Sequence, residues 1–240
     1  MTTRVLLQPA FILHRRPYRD NSLLLEALSM EHGRLGLVAR GAAGPRSRLR
    51  GLLQPFVPLL LSWSGAGDLV TLIGAEEQPP QRFLPTARVL SGFYANELLV
   101  KLLPRRDPCP ELFKAYARLL TELSTAAAEE PALRGFEKCL LAELGYGLNL
   151  EHEAHSGAPI VAELQYQYVL DRGPLAAAGN VTGVPISGRG LLALRDGTLD
   201  DPLLLREAKC LTRAALAVQL QGQLLKTREL YRVKRTPRPE

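Results

Sequence analysis

The chain has 240 residues and a mass of 26.4 kDa, is 46% hydrophobic and 22% charged, and carries 30 Lys and Arg against 24 Asp and Glu. That composition excludes a disordered chain and suits one large or two small globular domains. The apolar stretch 56–61 is broken by Pro58 and falls far short of the roughly 20 residues of a membrane span, no secretory signal is read at the start, and three scattered cysteines (Cys109, Cys139, Cys210) suit reduced thiols, so a cytoplasmic protein without a membrane partner is expected.

In chain order, residues 4–74 read as short strands. Residues 4–14 and 22–30 are extended apolar runs. Residues 34–40 alternate, with Leu35, Leu37 and Ala39 on one face and Arg34, Gly36, Val38 and Arg40 on the other; 56–63 and 69–74 complete five. Turn-forming residues separate them, and no helix-period segment is long enough for a βαβ unit. Five strands in so short a span predict a small antiparallel barrel, with the five-stranded OB barrel as the leading candidate. Of its aromatic residues, Phe11, Tyr18, Phe56 and Trp63, most are expected in the core, which leaves little for a base-stacking platform.

After Pro79-Pro80 the period changes. Leu90, Phe93/Tyr94, Leu98 and Leu102 recur at helical spacing, as do Leu112 to Leu123 and Leu133 to Leu144; the last helix has Pro131 at its start and Gly145-Tyr-Gly147 at its end. Asp200-Asp201-Pro202 marks another start, of a helix running to Gly222. Residues 150–195 read as irregular or β-ribbon, and 232–240 as a disordered tail. The expected class is therefore α+β and multidomain: an OB-fold domain over 1–79, then a mainly helical domain over 80–240 with a small irregular or β-ribbon insertion.

The charge is uneven. Residues 1–50 hold nine basic and three acidic side chains, 51–225 hold fifteen and nineteen, and 226–240 hold six and two. Five arginines and no acid lie between Arg34 and Arg50, and Arg34 and Arg40, six positions apart, share one face of a strand. Clustered positive charge on a slightly acidic body is the footprint of a polyanion binder. Coding bias explains arginine over lysine but not the missing acids. The DNA-contacting candidates are Arg34, Arg40, Arg46, Arg48, Arg50, Lys226, Arg228, Arg232, Lys234 and Arg235, with Arg46, Arg48 and Arg50 in the loop and start of the strand after Arg40.

Catalytic templates are missing: there is no GxxxxGK[ST], GxGxxG or GxSxG, and no cysteine with a nucleophile's local signature. His152 and His155, three apart, lack the further ligands that zinc requires, and Asp200-Asp201 reads as a helix start. No cofactor, metal or catalytic activity is expected. An RNA-binding OB-fold accessory protein of the translation machinery is the alternative, and an enzyme with a dispersed site around His152 and His155 ranks behind it.

The ordered series 11–17, 33–41, 51–59, 94–99, Leu133-Arg-Gly-Phe-Glu137, Leu144-Gly-Tyr-Gly147 and 225–230 resembles the RecO family of bacterial recombination mediators nearly end to end. The resemblance implies an OB domain on a helical domain that binds single- and double-stranded DNA and anneals complementary strands. It also implies action with RecR to load RecA onto strands coated by single-stranded DNA-binding protein (SSB). It further implies that the helical domain grips the acidic, Phe-terminated SSB tail, with Arg134 as the cation and Leu141 and Leu144 as walls for the phenyl ring. Some members carry a four-cysteine zinc site in the segment matching 150–175; with no cysteine there, this chain resembles the zinc-free branch.

Overall fold

The computed structural model describes residues 4–79, 83–125, 128–177 and 182–235, with residues 231–235 described by their backbone. Strands β1 (Arg4–Tyr18), β2 (Ser22–Ser29) and β3 (Gly33–Ala39) form an antiparallel meander. Strand β4 (Pro58–Ser64) returns to β1, and β5 (Leu69–Glu77) pairs antiparallel with β4 and parallel with β3, closing a barrel in the order β1-β2-β3-β5-β4. This is the OB topology. The alternation read over 34–40 marks the inside of the barrel: Leu35, Leu37 and Ala39 of β3 share one core with Leu23, Leu25 and Ala27 of β2 and Leu59, Leu61 and Trp63 of β4. Strand β1 spans fifteen residues because it serves two neighbours, and its register shifts at Val5/Gln8 and Ile12/His14 let it bend between them.

Within the barrel, one element departs from the expectation. Residues 48–52, read as a loop and the start of a strand, form helix α1 (Arg48–Leu52), too short to show a period. Leu49 and Leu52 pack on the barrel core beside the fully buried Leu53, so α1 closes one end of the barrel and leaves its arginines outside.

The chain divides into two compact units, one of residues 1–126 with 225–240, the other of residues 127–224. In the first, α2 (Val89–Leu102) and α3 (Pro110–Ser124) join the barrel. Their link to β1 is a buried polar chain: Asn96 Nδ2 donates to the Leu13 carbonyl at 2.8 Å, and the Tyr116 hydroxyl donates to Asn96 Oδ1 at 2.5 Å. Burial, only partly offset by the bond to Asn96, pushes the Tyr116 phenol far above its ordinary value. Phe11 packs its ring on Phe113 and Tyr116, both at 5.2 Å between centroids, which places it against the helices and not in the barrel interior.

The second unit holds α4 (Glu129–Glu143), a three-stranded sheet of β6 (Gln165–Val169), β7 (Gly173–Ala176) and β8 (Val184–Ser187) in the order β7-β6-β8, then α5 (Gly188–Asp196) and α6 (Pro202–Gln219). Helix α6 begins as read, with Asp201 accepting from the Leu203 N–H and Pro202 in the first turn. Helix α5 falls in the stretch read as irregular; Ser187 caps it by accepting from the Gly190 N–H, and Gly197 ends it at φ +76°. No described helix is long and apolar enough to cross a membrane.

Helix α7 (Lys226–Arg235) corrects the reading of disorder over 232–235, while 236–240 lie outside the described residues. It belongs to the first unit and packs on α2. Its open N-terminus is met by Glu97, whose carboxylate accepts from the Lys226 N–H at 2.9 Å, the Thr227 N–H at 3.0 Å and the Thr227 hydroxyl at 2.7 Å. Burial raises the Glu97 pKa, but the bonds from Thr227 and Lys226 and the charge of Lys101 outweigh it and hold the carboxyl below its ordinary 4.5. A depressed folded value means this attachment contributes fully above pH 4.5 and is lost as pH falls through the lower, folded value.

Two outcomes are expected. Asn96→Ala should lower the stability of the barrel-bearing unit by about 2–4 kcal/mol in urea unfolding, because the Leu13 carbonyl and the Tyr116 hydroxyl each lose a buried hydrogen bond. Amide protection of α7, followed by hydrogen exchange, should fall on acidification below pH 4.5 in the wild type, whereas Glu97→Gln should show weak protection already at neutral pH and little further change.

Candidate nucleic-acid interface

Counted by unit, the positive charge is concentrated. The unit formed by residues 1–126 and 225–240 carries 22 Lys and Arg against 12 Asp and Glu; the unit of residues 127–224 carries 8 against 12. The two basic ends of the chain thus belong to one compact body, joined through α2 and α7.

Within that body the arginines play different parts. Arg46, Arg48 and Arg50 are exposed on and before α1, on the side away from its packed leucines. Their side chains make no hydrogen bond or ion pair among the described residues, and the same holds for the exposed Arg40 and Lys226. Arg15 supports the group from below: its guanidinium donates to the Arg50 and Leu53 carbonyls at 3.2 and 3.3 Å, at the C-terminal end of α1. Arg228 places its guanidinium 5.9 Å from the centre of the Tyr94 ring, and its Nε and Nη2 lack hydrogen-bond partners among the described residues. Arg232, Lys234 and Arg235 belong to α7 by their backbone.

Arg34 differs from the sequence expectation. It has the outward parity of β3, as read, but it does not form an open basic face with Arg40. Its Nη1 pairs with Glu26 Oε2 at 2.8 Å and its Nε donates to the Leu103 carbonyl at 3.0 Å. Arg105 pairs with the other oxygen of Glu26 and donates to the Asp68 carbonyl at 2.7 Å. One carboxylate is shared by two guanidiniums, so the outer surface of β2 and β3 is partly neutralised and covered by residues 103–107. The partner lies about 70 residues along the chain, beyond the reach of local pattern.

Two residues missed by the sequence reading stand beside Arg40. Tyr18 and Arg19 close the β1–β2 turn, with the Arg19 guanidinium 5.2 Å from the centre of the Tyr18 ring and Arg19 itself at φ +53°. With Val38, Arg40 and Thr71 they line an open groove of about 380 Å³ across the ends of β1, β3 and β5. The signal was the Pro17-Tyr-Arg-Asp-Asn21 turn, where an arginine and an aromatic ring occupy a bend that packing does not demand. Tyr18 is half-buried and on this groove instead of in the core.

In the other unit, Arg134 is 1% exposed. Its Nη2 donates to Glu137 Oε1 at 2.6 Å and its Nη1 to Glu130 Oε2 at 3.1 Å, while its buried Nε has no hydrogen-bond partner among the described residues. Lys209 of α6 reaches the second oxygen of Glu130 at 2.5 Å. Burial raises the Glu130 pKa, but Lys209, Arg134 and Arg213 outweigh it and hold the carboxyl below its usual range. Leu141 is fully buried in the helical core, and Leu144 is half-buried. The sequence placed Arg134 correctly on α4 but gave no sign of this burial.

His152 and His155 sit in a loop organised by other groups. Asn149 Oδ1 accepts from the Glu151 and His152 N–H groups, and Glu153 accepts from the Ser156 hydroxyl and N–H, both at 2.5 Å. The Ser156 bonds lead in drawing the Glu153 carboxyl down to about 2. Among the described residues, no three or more His, Cys, Asp or Glu side chains gather as metal ligands would.

Comparison with known proteins identifies the family of the chain. The family profile described as Recombination protein O N terminal matches residues 1–77, and that described as Recombination protein O C terminal matches residues 86–229. The DNA repair protein RecO of Nitrosococcus oceani is 49% identical over 228 residues, covering 95% of this chain and 93% of its own. That of Methylococcus capsulatus is 48% identical over 230 residues, covering 96% and 94%, and that of Alkalilimnicola ehrlichii 47% over 239 residues, covering 98% and 94%. With a closed OB barrel, a helical remainder and matches over nearly its whole length, the chain belongs to the RecO family of DNA repair proteins.

Proposed function

We propose that this protein is a non-catalytic recombination mediator that binds single- and double-stranded DNA, anneals complementary strands, and acts with RecR to load RecA onto SSB-coated single strands. The observation that carries the reading is the concentration of positive charge in the barrel-bearing unit, with arginines on and before α1 that no acid among the described residues engages. Annealing requires that the repulsion between two phosphate backbones be screened while base edges stay free to pair. Exposed guanidiniums with few exposed aromatic side chains suit that task, because they grip phosphate without reading or burying bases. Arg40, Arg46, Arg48 and Arg50, with the cations of α7, are the proposed phosphate contacts. Arg34 supports them by holding residues 103–107 on the barrel.

For the SSB tail, the proposed seat is Arg134. Its exposed-side partner, Glu130, has a side chain 40% exposed, whereas Glu137 is fully buried. A carboxylate of an acidic peptide would therefore exchange with Glu130, leaving the pair with Glu137 intact. Simple truncation is a poor test, since Arg134→Ala strands a buried carboxylate at a cost of about 3–5 kcal/mol. The paired change Arg134→Met with Glu137→Leu removes cation and buried anion together.

If about five phosphates are engaged, single-strand affinity should fall with a log-log salt slope near −3.5, about 100-fold for a fourfold rise in salt. Replacement of Arg46, Arg48 and Arg50 by alanine should reduce the magnitude of that slope by about 2 and slow annealing of complementary strands, with and without SSB. A slope near zero, or no annealing by the wild type, would reject the reading. In anisotropy with a labelled acidic, Phe-terminated peptide, the Arg134/Glu137 double variant should bind at least about tenfold more weakly while DNA affinity holds. Undiminished peptide binding would remove Arg134 from the site.

A further inference from the structure

One end of the barrel is closed by α1; the other is not. At that end Val5, Leu35 and Trp63 line a pocket of about 140 Å³, with His32, the Gly65-Ala-Gly67 turn and Arg106 around its rim. Its volume is that of four or five waters at roughly 30 Å³ each, a space that one planar nucleobase fills. The His32 and Trp63 rings meet edge to face at 5.2 Å between centroids, and the β4–β5 turn brings only glycine and alanine to the rim. Backbone can therefore approach a ligand there without a side chain in the way.

The position of Arg106 is built with care. The residue is at φ +58°, left-handed for a side chain that gains nothing locally from it. Its N–H donates to the Arg34 carbonyl at 2.8 Å, and the strap around it is fixed by Arg34 on Leu103 and Arg105 on Glu26. The strap lies so close to the β2–β3 turn that a Cβ on Gly33 would come within 1.9 Å of the Asp107 carbonyl oxygen. Yet the exposed Arg106 guanidinium makes no hydrogen bond or ion pair among the described residues. The strap, the strained backbone and the glycine together hold an uncommitted cation at the lip of an apolar, aromatic pocket.

We propose that this barrel mouth is a nucleotide seat, in which one base of a single strand enters against Trp63 and His32 while Arg106 takes the adjoining phosphate. The inference rests on the DNA-binding reading above and deepens it: the strand would be fixed at one base, with its other bases left outside, as pairing requires. It is separate from the α1 arginines and from the groove at Tyr18 and Arg40, which lie at other parts of the barrel.

Trp63 is the one tryptophan of the chain, so its emission reports on this pocket alone. The experiment uses the full chain and two fluorescein-labelled strands of equal length, an oligothymidylate and its abasic counterpart, with anisotropy and tryptophan emission followed in the same titration. Both strands should raise anisotropy, but only the base-bearing strand should quench Trp63, in step with binding. Arg106→Ala, checked for an unchanged free emission spectrum and melting curve, should keep most of the anisotropy change, lower the magnitude of the salt slope by about 0.7 and lose much of the quenching. Binding without quenching, or equal quenching by both strands, overturns the seat and leaves the DNA-binding reading standing. Absence of any anisotropy change overturns that reading and the seat with it.

Discussion

Adjacent residues of α2 point in two directions, and the first unit depends on both. Asn96 faces the barrel and ties α2 and α3 to β1 through Leu13 and Tyr116; Glu97 faces the chain's last helix and accepts three hydrogen bonds from its first turn. A carboxylate at a helix N-terminus is favourable in itself. Here it also gathers the cations of the chain's end into the same body as those of its beginning. A net charge of +6, unremarkable over 240 residues, becomes a strongly basic unit and a mildly acidic one.

The sequence was most legible where structure is periodic and local. The barrel strands followed from extended apolar runs and, in β3, from alternation, because a half-buried strand must place every second side chain inside; the turns followed from Gly, Pro, Asn and Asp. Long helices were equally plain. What was lost lacks a period or depends on distant partners. Helix α1 is a single turn, β6 to β8 have four or five residues each, and α5 opens on Gly188-Arg-Gly190, which reads as loop until Ser187 is seen as its cap.

The site residues divide in the same way. Arg46, Arg48 and Arg50 stand exposed because the leucines between them must face the barrel, a local demand. Arg34 had the right parity and a different environment, since Glu26 across the hairpin and Arg105 from beyond α2 both claim its surroundings. Arg134 was placed on the right helix by motif, but helical spacing does not reveal that Glu130, Glu137 and Lys209 converge there. Tyr18 and Arg19 were hidden by the habit of assigning barrel aromatics to the core.

The path of the chain also orders events in time. The bonds from Thr227 to Glu97 join residues 130 positions apart, with the whole second unit made between them. During synthesis the barrel, α2 and α3 leave the ribosome long before the helix that completes their unit, and closing so distant a contact is slow compared with local folding. The last cations of the first unit therefore join it only after residues 127–224 have been synthesised. Until that helix docks on Glu97, the cationic surface of the nascent chain is incomplete.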